Sequence, residues 1–495
     1  MKKYYRIIIL TFMLVLVALR FSICTGPSAE ITEEVSDVPE IDAVSEALED
    51  IPSGPVSVEI GLSDGTVFSS ASDTEILDIT DSSLVSLLPD YSGEFTNLKN
   101  VNISDGLEFS YADIEAIKAA FPECEVNYRV IILGSEISAD TVELDLSELQ
   151  SEDVEEAARE LKKLPSLQRV NLMPEGISFD TEAEGTDTDT VYKGNITIED
   201  VGVLVASAPG AVFDYRFLLY GKEVSTADES IEFENVNIGD DGVQNIIRPI
   251  LPSMGNLKYL KLDKCETTSE VMAQLRDDFP DIKIVWRIYF SSYGDGPLGK
   301  VTYNCLTDTD HIWATGCVTD FYAQELKYCT DVVYLDMGHN CITNIDFVSF
   351  MPKLEVAVLS ITWVEDISPL VSCPNLEYLE IFTSKVTDIT PLASCTSLKH
   401  LNISNLSEVT DISCLYELEL ERLYCTMSSI PQEQQDKFSE LHPDCECEFG
   451  WVDPSKGHWR FIDGNYLNTD PDNRVERYAK LCEQIGYDDY SNLSC

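Results

Sequence analysis

The stretch VVYLDMGHNCITNIDFVSFMPK (Val332–Lys353) decides the fold when it is set against the segments that follow it. LEVAVLSITWVEDISPLVSCPN (Leu354–Asn375), LEYLEIFTSKVTDITPLASCTS (Leu376–Ser397) and LKHLNISNLSEVTDISCLYELE (Leu398–Glu419) fall into the same 22-residue register, and a fifth line begins at LERLYCTMSSIP (Leu420–Pro431). Each line has apolar residues at positions 1, 4 and 6, then Val or Ile near position 11 and an apolar pair beyond it. A single such unit cannot bury its own apolar edge, but stacked units can, so the spacing predicts a solenoid.

The pieces DISPL (Asp366–Leu370) and DITPL (Asp388–Leu392) give these lines their closest likeness to a known pattern. They resemble the short leucine-rich repeat of internalin-like bacterial surface proteins. The resemblance implies an α/β leucine-rich-repeat solenoid, with a strand on the concave side of each unit and a short helical turn on the convex side. The buried asparagine of that pattern is present once, as Asn340. Thr362 and Ser384 stand at the next two rungs and are expected to donate similar hydrogen bonds to the neighbouring loop. Leu406 cannot, and its unit carries one extra residue before Val409, so the ladder is expected to fail there.

The resemblance also implies which side chains face solvent on the concave sheet. One row is Tyr334, Val356, Tyr378, His400 and Arg422; the next is Asp336, Val358, Glu380, Asn402 and Tyr424; beyond it lie Ser360, Phe382 and Ser404. Of these, Tyr334, Asp336, Tyr378, Glu380, Phe382, His400 and Tyr424 are the expected binding residues, because Tyr, Phe and His on an exposed sheet resemble interface hot spots. The competing reading is that the aromatic residues only pack across strands. Trp363 lies further along its unit, on the rim or in the turn.

The region before Val332 shows a longer period. VSVEIGL (Val56), VNYRVIILG (Val126), FDYRFLLYG (Phe213) and IVWRIYF (Ile284) align, each followed by a second strand-like piece: EILDIT (Glu75), VELDLS (Val142), IEFENVN (Ile231) and KVTYNC (Lys300). Alternating apolar and polar residues predict strands in both sets. Pro122, Pro209, Pro280 and Pro443 mark a recurring junction. The simplest account is a module of about 75 residues repeated four times, the last enlarged by the four 22-residue units. NVNIGDDGVQNIIRPIL (Asn235–Leu251) resembles the longer, helix-bearing repeats of the ribonuclease-inhibitor type. The expected division is therefore 1–24 export segment, 25–55 acidic linker, 56–325 irregular repeats, 326–431 regular repeats and 432–495 closing cap.

Charge bounds the partners. The chain has 495 residues, with 33 Lys plus Arg against 88 Asp plus Glu, a formal net charge of −55. Phosphate recognition needs basic patches, so a nucleic-acid partner is excluded, and electrostatic attachment to anionic lipid is disfavoured. MKKYYR followed by the apolar run Ile7–Leu19 reads as an export signal, too short for a comfortable membrane span. Three fates stay open: cleavage and secretion, lipidation at Cys24 (although Phe21, Ser22 and Ile23 fit a lipoprotein signal poorly), or an uncleaved anchor. All three place the body outside the cytoplasm, and the membrane is met only through this segment. The acidic stretch after Cys24 reads as a solvated tether.

Cys329, Cys373 and Cys395 share the repeat period, with Met351 at the missing rung, and are expected to pack as small hydrophobes. Cys445, Cys447, Cys482 and Cys495 leave disulfide pairing open. His311, His339, His400, His442 and His458 show no metal or nucleophile spacing, and no phosphate-binding glycine loop occurs. Asn468, Asp470 and Asp472 echo a calcium loop, but Asn473 and Ala479 stand where glycine and a bidentate glutamate are needed. No cofactor, metal or catalytic residue is expected. The sequence thus points to a cell-surface recognition protein for a protein or glycan ligand; an envelope spacer and, less favoured, a carboxylate hydrolase are the alternatives.

Overall fold

The computed structural model describes residues 56–179, 190–290, 303–316 and 318–450, together with the backbone of Phe461–Ile462 and Asn465–Tyr466. The expected export segment, Cys24, the acidic linker, the calcium-like residues from Asn468 to Ala479, and Cys482 and Cys495 lie outside these residues.

The 22-residue lines form a leucine-rich-repeat solenoid. Seven short parallel strands stack in one sheet: His311–Trp313, Tyr334–Asp336, Val356–Val358, Tyr378–Glu380, His400–Asn402, Arg422–Tyr424 and Glu446–Glu448. The register is unbroken, with Leu335, Ala357, Leu379, Leu401 and Leu423 aligned rung to rung. These side chains point inward and are fully buried, as are Met337, Leu359, Ile381, Ile403 and Cys425 two positions on. Each buried Leu, Ile or Met side chain among them contributes roughly 1.5–3 kcal/mol by leaving water.

The return of each unit explains the DISPL and DITPL pieces. Asp366, Asp388 and Asp411 each accept a hydrogen bond from the backbone N–H two residues on (Ser368, Thr390, Ser413), all at 2.8 Å. The prolines Pro369 and Pro391 open the following 3-10 turns, Ser368–Ser372 and Thr390–Ser394, where a missing N–H costs nothing. Leu370 and Leu392 close the core beneath.

Position 8 of every line is left-handed: His339, Ile361, Thr383, Asn405 and Met427 have φ between 54° and 62°. The twist lets the N–H at this position reach the next rung, as in His339 N–H to Ser360 O and Thr383 N–H to Ser404 O. A β-branched residue resists this conformation by roughly 1–2 kcal/mol, whereas Asn tolerates it. Thr383→Asn is therefore expected to stabilise the protein by about 1 kcal/mol, read as a higher melting midpoint; an unchanged or lower midpoint would show that no strain is stored there.

The asparagine ladder departs from expectation. Asn340 Nδ2 donates to Ala314 O (2.8 Å), Met337 O (2.9 Å) and Gly338 O (3.2 Å), while its Oδ1 accepts from Val318 N–H at 2.9 Å. It thus clamps two rungs. Thr362 instead donates to Leu359 O of its own unit, and Ser384 accepts from Val386 N–H of its own unit. Their side chains are too short to cross to the next loop. Leu406 is buried as an apolar filler, and the turn from Leu406 to Val409 absorbs the extra residue.

The irregular half repeats a module of one antiparallel hairpin and three parallel strands. The hairpins are Ser57–Gly61 with Val67–Ala71, Val130–Ile132 with Ser135–Ile137, and Arg216–Leu219 with Lys222–Ser225. The parallel sets begin at Ile76–Ile79, Glu143–Asp145 and Ser230–Glu234. The fourth module corrects the alignment read from sequence. Its KVTYNC piece supplies Asn304–Leu306, the antiparallel partner of Lys283–Tyr289, and not the parallel strand; His311–Trp313 takes that place. The second and third hairpins turn tightly, through Leu133–Gly134 and Tyr220–Gly221 with positive φ, whereas residues 290–303 of the sequence separate the two strands of the fourth, which shifts the spacing.

Four ten-residue helices end at the recurring proline: Tyr111–Ala120, Ile198–Ser207, Ser269–Asp278 and Gln432–Leu441. In each, the residue before proline leaves the helical region, with ψ between 67° and 76°, because proline disfavours a helical ψ there. The described part beyond Pro431 is that last helix and the seventh strand, with Phe438 buried against the final rung. Two apolar cores result, one from Val58 to Phe121 and a long one from Val130 to Phe438.

Candidate functional site

The parallel register brings the two expected rows together. Tyr334, Val356, Tyr378, His400 and Arg422 align across five strands, as do Asp336, Val358, Glu380, Asn402 and Tyr424. Their exposure is a correction to the sequence reading. Tyr334 and Glu380 are 0% exposed, Tyr378 is 1%, and Asp336, Phe382 and Tyr424 are also buried; only His400 and Arg422 keep partial access.

Close contact between rungs accounts for part of this shielding. The His311 and Tyr334 rings stack with centroids 5.8 Å apart, and Tyr378 lies 6.0 Å from His400. The Arg422 guanidinium sits 5.5 Å from the Tyr424 ring centroid. Tyr378 donates its hydroxyl to Glu380 Oε1 at 2.5 Å, and Tyr424 donates to Glu446 Oε1 at 2.8 Å. Asp336 accepts from Gly338 N–H at 2.8 Å, and Asn402 Oδ1 accepts from Ser404 N–H at 3.0 Å.

Burial sets the protonation states. It holds His400 below the ordinary imidazole range, helped by the positive charge of Arg422, so His400 is neutral near pH 7. Burial, then the Glu446 carboxylate, pushes the Tyr424 phenol up to about 12. The face therefore presents hydrogen-bonding groups rather than nucleophiles.

Three polar atoms on adjacent rungs stand out. His400 Nδ1, Asn402 Nδ2 and Thr426 Oγ1 are buried without a hydrogen-bond partner among the described residues. Asn402 and Thr426 are both 0% exposed. A buried unpartnered polar group costs roughly 1–3 kcal/mol. Thr426, at position 7 of the fifth line beside Ser404, was not singled out from sequence; a lone Thr in a strand gives no signal until its neighbours are placed.

Trp363 and Ile361 are 59% and 38% exposed, with the Lys385 ammonium 5.9 Å from the Trp363 ring centroid. Among the described residues, no group of three or more His, Cys, Asp or Glu is arranged to hold a metal ion. No described helix is long and apolar enough to cross a membrane.

No protein-family model and no curated protein matches the chain. Among solved structures it is similar to an internalin of Listeria monocytogenes, 17% identical over 72% of this chain and 74% of that one, with a TM-score of 0.25. A leucine-rich-repeat protein of Leptospira interrogans is 16% identical over 76% and 96%, with a TM-score of 0.27. Internalin C2 of Listeria monocytogenes is 21% identical over 50% and 91%, with a TM-score of 0.25. The fold itself stands on the strand register and the 22-residue period, not on these likenesses.

Proposed function

We propose that this chain is an exported recognition protein that binds a protein or glycan through the concave face of its regular repeats, without chemistry. The supporting observation is the cluster of unpartnered polar atoms at His400, Asn402 and Thr426. A face serving stability alone gains by replacing such groups with apolar ones of the same shape. Donors and acceptors kept at that cost suit a ligand that completes their hydrogen bonds. Tyr334, Asp336, Tyr378, Glu380, Phe382 and Tyr424 then frame the same surface. Export rests on the basic start and the Ile7–Leu19 run of the sequence.

Two consequences follow from burial and charge. Engagement requires the shielded face to rearrange, which slows association below the usual ~10⁵–10⁷ M⁻¹s⁻¹. The acidic body partly offsets this for a partner with a basic patch, in a salt-dependent way.

The test is capture on an array of purified extracellular proteins and glycans. His400→Phe keeps an aromatic ring beside Tyr378 and deletes the unpartnered nitrogen. A ligand held by the wild type and weakened at least about tenfold by His400→Phe, the ~1.4 kcal/mol worth of one good hydrogen bond, supports the proposal. Equal capture by both proteins moves the site elsewhere; no capture at all favours a spacer.

A further inference from the structure

Two buried thiols meet where the irregular half joins the regular repeats. Cys305 lies in the strand Asn304–Leu306, the hairpin edge that closes the four-stranded sheet. Cys329 caps the 3-10 turn Gln324–Tyr328, the first turn to precede a regular line. Both are buried, and their Sγ atoms are 3.8 Å apart. The other repeat cysteines behave differently. Cys373 points its thiol at Val348 O (3.6 Å), Cys395 at Leu370 O (3.8 Å) and Cys414 at Ile389 O (3.4 Å). Those three cap backbone carbonyls, as small hydrophobes with a weak donor do, whereas Cys305 and Cys329 face each other.

We propose that Cys305 and Cys329 form an intrachain disulfide when the chain folds in the presence of a small-molecule disulfide. The sulfurs need to close from 3.8 Å to the ~2.05 Å bond length, a small side-chain movement. The exchange balances in two steps. One cysteine thiolate attacks the small disulfide, forming a mixed disulfide and releasing one thiol. The second cysteine thiolate then attacks the mixed disulfide, forming the Cys305–Cys329 bond and releasing the second thiol. Two cysteine thiols are oxidised and one disulfide is reduced to two thiols, with the protons carried by the departing pair.

The bond would staple the antiparallel edge of one sheet to the turn beneath the next. That is where the ladder is not continuous: the strand Asn304–Leu306 belongs to the four-stranded sheet, and His311–Trp313 starts the seven-stranded one. The hydrogen bond with the neighbouring Cys329 thiol, and then burial, hold the Cys305 thiol well above its ordinary range. Exchange in the finished fold is accordingly slow, and closure belongs to folding, when both thiols are wet.

The experiment refolds the full chain from denaturant with oxidised and reduced glutathione, blocks free thiols, digests the protein and maps cross-linked peptides by mass spectrometry. The expected result is one peptide pair joining Cys305 to Cys329, with Cys373 and Cys395 alkylated. The oxidised protein melts roughly 2–6 °C above its reduced form, and the gap vanishes in Cys305→Ala. Should that variant fail to fold, peptide mapping of the wild type decides alone. Refolded protein of native circular dichroism with both Cys305 and Cys329 alkylated, or with either joined elsewhere, overturns the proposal.

Discussion

Glu160→Ala is expected to be among the most damaging single substitutions in the chain, costing roughly 3–5 kcal/mol. Glu160 and Lys163 lie at the end of the helix Val154–Leu161 and just beyond it, with side chains 3% and 0% exposed. Their ion pair measures 2.7 Å, and Lys163 Nζ sits 4.4 Å from the Phe109 ring centroid. Phe109 belongs to the first apolar core and Leu161 to the second, so the pair stands where the two cores meet. Removing the carboxylate strands a cation in an apolar seam and also deprives Ile131 N–H of its acceptor, Glu160 Oε2 at 3.4 Å. Truncating one partner is far worse than replacing both, so Glu160→Met/Lys163→Met is expected to recover most of the loss.

The pH dependence of that defect has a definite sign. Burial lowers the Lys163 ammonium below its ordinary value, against the opposing pull of Glu160. A lysine whose folded pKa lies below its unfolded one is penalised while charged. The penalty is present below the folded value and is relieved as pH rises toward the unfolded value near ~10.4. Without Glu160 the depression deepens, so the Glu160→Ala defect shrinks as the solution is made alkaline. Urea titrations at neutral pH and near pH 9.5 measure this; a defect that grew with pH would contradict the account.

Asn340→Ala is expected to cost roughly 3 kcal/mol or more, from several orphaned backbone groups at about 1–3 kcal/mol each. Val318 N–H and Ala314 O both lose the side chain that joins them to the following rung. Thr362→Ala, which forfeits a single bond to Leu359 O, is expected to cost about 1 kcal/mol. A thermal melt of the two variants checks the ratio. Equal losses would mean that Asn340 does not clamp neighbouring rungs.

The fold of the regular repeats was legible because period and chemistry agree at each position. Apolar residues at positions 1 and 4 of every line, Asp before the 3-10 turn of three lines and proline at the start of two each have one physical role. Asn340 was legible because it stands at the buried-asparagine position of the repeat that the sequence resembles. The asparagine row beyond it was not, because Thr362 and Ser384 match in hydrogen-bonding type but not in reach. The slip at KVTYNC arose because a strand's pattern does not tell parallel from antiparallel pairing. The candidate site was half legible. Register followed from the period, so the alignment of Tyr378 with His400 and of Glu380 with Asn402 was foreseeable. Shielding of those side chains, and the loneliness of Thr426, depend on packing between rungs that no single line encodes.

Thr426→Val gives the most direct measurement of the central claim, since it deletes a buried unpartnered hydroxyl at almost constant shape. Two readouts are taken on one protein: the melting midpoint, and retention of whichever arrayed ligand the wild type captures. The expected result is opposite signs, with stability raised by about 1 kcal/mol and capture weakened. A variant that melts lower, or that melts higher while binding as well as the wild type, would show that the concave polar cluster is not kept for a ligand.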